Sequence, residues 1–153
     1  MHLRVGILVS TILIAGAVFA QLNLVNASSS QITNAAPEAV LNAAKAIAVN
    51  NSDGHPSLAQ YVLTARQAAV TASDGGVVDS NGSVYYIVMR GHFVDHHGRT
   101  AAGAADPAGN QLEVTVDAQT GDVLDMAILH RPTPPSLDKF GLVHDITQDV
   151  QQP

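Results

Sequence analysis

The chain has 153 residues, of which 46% are hydrophobic, 13% charged and 4% aromatic, with a formal net charge of −6. One domain fits that length and two ordinary ones do not, and an acidic balance repels phosphate backbones, which excludes nucleic acid as a partner. With no cysteine, disulfides, thiolate metal sites and cysteine nucleophiles are excluded as well.

Arg4 is followed by a charge-free apolar run, Val5 to Ala20, and the next charged residue is Glu38. A basic end, an apolar run and a polar stretch are the order of a signal sequence. Small residues before Gln21 and before Ser28 offer two cleavage positions. Extended to Val25, the run also reaches the roughly 20 residues that a membrane anchor needs. Residues 1–27 are therefore expected to be a signal peptide or a membrane anchor. Both readings place the rest of the chain outside the cytoplasm, secreted or held at the cell membrane by residues 5–25.

Residues 28–36 read as a polar spacer. Pro37 and Glu38 open a helix, since proline suits the first turn and an acid there complements the dipole. Val40, Ala43, Ala44, Ile47 and Ala48 make a thin, alanine-rich stripe suited to a flat sheet face, and Asn50 to Gly54 ends the helix. Residues 57–73 fit either a helical face or a period of two. Val84 to Val94 is the clearest strand, β-branched, aromatic and so nearly continuously apolar that it belongs at the centre of a sheet. Residues 95–110 form a loop. Gln111 to Asp117 alternates strictly, with Leu112, Val114 and Val116 on one face. Ala118 to Gly121 makes a tight turn into Asp122 to Leu129, with Gly121 where a positive φ is required. Beyond Arg131, Pro132, Pro134 and Pro135 cannot continue a strand, so 132–153 read as a proline-containing tail.

Leu112, Val114, Val116, Asp117, Thr120, Gly121, Val123 and Leu124 together resemble the terminal hairpin of PepSY domains, in which a strand ends in Asp, a Thr-Gly turn follows and a second strand departs. Arg90 to Phe93 resembles a segment of small exported proteins of Gram-positive bacteria. In that group the region matching Tyr61 to Ala69 is a strand, which favours a strand over Gln60–Thr71 here. The resemblance covers about residues 60 to 145. It implies an α+β domain over 37–131, one helix packed on a four-stranded antiparallel sheet. It also implies a non-enzymatic extracytoplasmic module that binds a protein partner in the cell envelope and regulates a peptidase or another envelope protein. Asp117, Thr120 and Gly121 match the family's turn, with a structural role for each.

His92, Asp95, His96 and His97 are the only cluster of candidate metal ligands in the sequence. On a strand, His92 and His96 would share a face, and Asp95 or His97 would supply a third ligand. A metal- or small-ligand-binding envelope protein is accordingly the alternative reading. Against it, Gly98 and Arg99 mark a solvated turn. A serine hydrolase is disfavoured, because no Gly-x-Ser-x-Gly occurs and the serines fall in spacers or turns. Asp122 and Asp125 read as solubilising charges on an exposed hairpin arm rather than a catalytic pair. No calcium loop or phosphate loop is present, and no cofactor is expected.

Overall fold

The computed structural model describes residues 36–98 and 100–152. The expected leader and the start of the spacer lie outside them. The described residues belong to one unit, 34–153. Among them, no helix is long and apolar enough to cross a membrane.

The architecture is α+β, around a five-stranded antiparallel sheet of order β4-β3-β2-β1-β5. Helix α1, Glu38–Asn50, comes first, followed by strand β1, Leu58–Ala65, and helix α2, Arg66–Ser73. Strands β2, Ser83–Val94, β3, Ala108–Asp117, and β4, Val123–Leu129, form a meander. A single 3-10 turn, Leu137–Lys139, strand β5, His144–Asp145, and helix α3, Thr147–Gln151, complete the chain.

β2 is the middle strand, and its apolar run has a direct cause, because both of its faces are covered. Ile87, Met89 and Phe93 lie in one cluster with Val40, Ala44 and Ala48 of α1 and with Ile146 and Val150 at the C-terminal end. Val84, Tyr86 and Val88 lie in a second cluster with Ala69 of α2 and with Leu137. The alanines of α1 let its backbone lie close on the sheet, as the thin stripe requires.

Three expectations need correction. The stretch taken as one strand over Gln60–Thr71 is strand only to Ala65 and then becomes α2. The two periodicities of that stretch belong to two elements in succession. The sheet has five strands rather than four, because His144 and Asp145 pair with Tyr61 and Gln60. Residues 132–152 are part of the fold rather than a tail, with Leu137, Ile146 and Val150 each at most 4% exposed. The prolines do prevent a strand immediately after β4, but the chain crosses the sheet and resumes at its far edge. Tyr61 holds it there, stacking on His144 at 4.8 Å.

Candidate functional site

The second face of the sheet carries a polar group that the alternation of β3 does not announce. Leu112, Val114 and Val116 point toward α1, so Gln111, Glu113 and Thr115 point the other way, and all three are buried. An ionised carboxylate away from water needs partners, and Glu113 has three. The Tyr86 hydroxyl donates to Glu113 Oε2 at 2.6 Å, and the Gln111 side-chain amide donates to Oε1. Arg131 Nε stands 3.9 Å from Oε1. Burial, reinforced by the hydrogen bond to Glu113, holds the Tyr86 hydroxyl protonated far above its ordinary value. Arg131 is itself anchored, donating to the carbonyls of Ala72 and Ser73 at the end of α2.

Beside this group, Asp125 of β4 receives two N–H groups of Arg66, at 2.9 and 2.8 Å. The Thr115 hydroxyl donates to the same carboxylate at 2.6 Å. The hydrogen bond from Arg66 pulls the Asp125 carboxyl below its ordinary value, against the opposing effect of burial. Asp125 is therefore not merely a solubilising charge. It ties the first residue of α2 to the edge strand.

Between α2 and the β3–β4 pair lies a cavity of about 200 Å³, lined among others by Ser73, Asp74, Tyr86, Glu113, Thr115 and Asp125. The lining holds three carboxylates, Asp74, Glu113 and Asp125, of which Arg66 pairs with Asp125 and Arg131 stands near Glu113, so the formal charge of the group is negative. β4 bounds the cavity and, among the described residues, is an edge of the sheet, paired on one side only. Along it Val123, Leu124 and Met126 are 46%, 38% and 46% exposed.

The residues singled out from the sequence fall elsewhere. In the β3–β4 turn, Asp117 Oδ1 accepts from the backbone N–H of Gln119 and Thr120, at 2.8 and 2.9 Å. These bonds hold the Asp117 carboxyl below its ordinary value. Thr120 Oγ1 accepts from Asp122 N–H at 3.2 Å, and Gly121 has φ +80°.

His92, Asp95, His96 and His97 are not gathered. Among the described residues no group of three His, Asp or Glu side chains is placed to hold a metal ion. The reason is that β2 ends at Val94, so His92 and His96 do not share a strand face. Asp95 instead accepts the backbone N–H of His97 at 3.0 Å, closing a turn. His92 N–H donates to Asp53 Oδ2 at 2.8 Å. That contact requires Gly91, where an added Cβ would lie 2.0 Å from Asp53 Oδ2. His96 is bonded at both ring nitrogens, to Ser52 Oγ at 2.7 Å and to Asp106 Oδ2 at 3.0 Å.

Comparison with known proteins gives no match to a family model, to a curated protein or to a solved structure.

Proposed function

We propose that this chain is an exported, PepSY-like binding module that acts by contact with a partner protein of the cell envelope. An extended segment of the partner pairs with the β4 edge and sets a basic side chain into the acid-lined cavity. The observation that carries this reading is the position of the buried Glu113 beside an edge strand with one side unpaired. Edge strands bind extended segments through their free backbone groups, and adjoining pockets select the side chains. The negative charge of the cavity wall and of the chain as a whole favours a cationic partner. A peptidase with an extended surface loop fits that description, and regulation would follow from occupying the loop.

The full chain, used as bait in an envelope fraction, should retain one partner at near-stoichiometric yield. Ala127→Lys, opposite Glu113 on β4 and in the cavity wall, adds a positive charge to the cavity at the edge strand, and should reduce retention at least tenfold. Recovery of no protein, or equal recovery by the variant, would overturn the proposal.

A further inference from the structure

A second constellation lies at the opposite end of β2 from the β3–β4 turn and shares no residue with the cavity. Ser52 follows the C-terminus of α1, His96 follows β2 and Asp106 precedes β3. Two backbone bonds bring these segments together. Val94 N–H donates to Asn51 O at 2.9 Å, and Asp95 N–H donates to Pro107 O at 2.8 Å.

The tautomer of His96 follows from its partners. An ionised carboxylate only accepts, so Nδ1 carries the hydrogen and donates to Asp106 Oδ2 across 3.0 Å. In the neutral imidazole Nε2 is then an acceptor, and the Ser52 hydroxyl donates to it across 2.7 Å. A hydroxyl that donates to an imidazole oriented by a carboxylate is the arrangement that activates a serine. Ser52 also has φ +74°, the only positive value at a residue other than glycine among the described residues. Helix ends that need this angle usually place glycine there, and strained backbone at such a point is a mark of functional sites. Ser52, His96 and Asp106 are all exposed, so a reactant reaches the hydroxyl without any opening of the fold.

From this geometry we propose that Ser52, His96 and Asp106 form a nucleophile, base and orienting carboxylate that accept an acyl group from small activated esters. Ser52 Oγ attacks the ester carbonyl carbon while His96 Nε2 takes the hydroxyl proton. The bond to the leaving alkoxide breaks, and the imidazolium returns the proton to it. Water, deprotonated by the same nitrogen, then attacks the acyl-serine carbonyl carbon; the bond from that carbon to Ser52 Oγ breaks, the imidazolium returns its proton to Ser52 Oγ, and the carboxylic acid leaves. Asp106 stays ionised throughout and holds the ring. The open surface around Ser52 suits a small acyl group with a good leaving group, such as an aryl acetate.

The test uses the full chain with an alkyl fluorophosphonate, followed by intact mass and peptide mapping, and with p-nitrophenyl acetate for turnover. One adduct is expected, on Ser52. It should be absent in Ser52→Ala and slowed roughly 10²-fold in His96→Ala, in keeping with the loss of a general base. Ser57→Ala should label at the unaltered rate. Because the natural chain has no cysteine, Ser52→Cys provides a unique thiol. Its alkylation by iodoacetamide should slow at least tenfold when His96→Ala is added, in a protein whose thermal transition is retained. An unlabelled Ser52 in folded protein, or labelling and alkylation rates indifferent to His96, would overturn the proposal.

Discussion

At the scale of single residues, the molecule places polar chemistry where sequence patterns read bland structure. Ser52 belongs to Asn50–Gly54, a run that announces a helix end and nothing more. Its hydroxyl becomes a partner of His96 only because β2 returns to the end of α1, a contact 44 residues away in the chain. No local signature marks such a pair, and the absence of a Gly-x-Ser-x-Gly turn argues only against one family of serine nucleophiles. The backbone angle at Ser52 carries its own prediction. A side chain in the left-handed region costs roughly 1–2 kcal/mol, partly offset in a glycine variant by the entropy of the unfolded chain. The hydrogen bond to His96 is exposed and contributes little in return. Ser52→Gly should therefore stabilise the fold by about 0.5–1 kcal/mol, seen as a higher urea midpoint at an unaltered slope, while abolishing fluorophosphonate labelling. A lower midpoint would mean that the contact with His96 outweighs the strain. Glu113 was hidden differently. Strict alternation in β3 correctly separates Leu112, Val114 and Val116 from Gln111, Glu113 and Thr115. It does not say that the second set is also covered.

The cover comes from elements, and these were legible in proportion to their length and periodicity. α1, β2 and the β3–β4 hairpin stand in the sequence as a helical stripe, an apolar run and an alternating pair joined at Gly121. α2 has only eight residues, two turns whose pattern of alanines fits a strand almost as well. β5 has two residues and α3 five, too few for any period. These short elements exist because of tertiary burial rather than propensity. Ile146 and Val150 plug the side of the core next to Ala59 and Tyr61, and Ile146 N–H donates to Ala59 O at 2.9 Å. The C-terminal segment should therefore be essential to stability despite its prolines and polar end. Ile146→Ala removes three buried carbons from a site that is 2% exposed, and a loss of about 2–4 kcal/mol is expected. Deletion of residues 132–153 should expose the β1 edge and broaden or abolish cooperative unfolding. Calorimetry of both variants checks this, and an unaltered transition in the deletion would show that β5 and α3 are dispensable.

Across the whole molecule, the acidic character has two opposing consequences for stability as pH changes. The net charge of −6 at neutral pH and the pI near 5.4 mean that mild acidification first removes self-repulsion. Below that, specific carboxylates decide. Asp117, bonded by the backbone of Thr120 and Gln119, has its pKa lowered from an ordinary value of 3.8. So has Asp125, bonded by Arg66. Asp138, bonded by Ser136, and Asp145, bonded by the backbone of Thr147, are lowered as well. Each has a folded-state value below its unfolded one. Each therefore contributes stability that is fully present above about pH 4 and is lost as pH falls through the lowered folded values. These four carboxylates sit at the β3–β4 turn, on the link between α2 and β4, within the 3-10 turn and in β5 just before α3, so acid weakens both edges of the sheet together. The urea midpoint should stay level or rise slightly between pH 7 and 5, then fall steeply below pH 4. Asp125→Asn keeps the shape of the side chain but loses its charge and the ion pair with Arg66. It should lower the midpoint at pH 7 and flatten the acid limb, since one titrating contribution has gone. An acid limb as steep in the variant as in the parent would mean that the Arg66–Asp125 pair contributes nothing, and that acid destabilisation comes from the other three carboxylates.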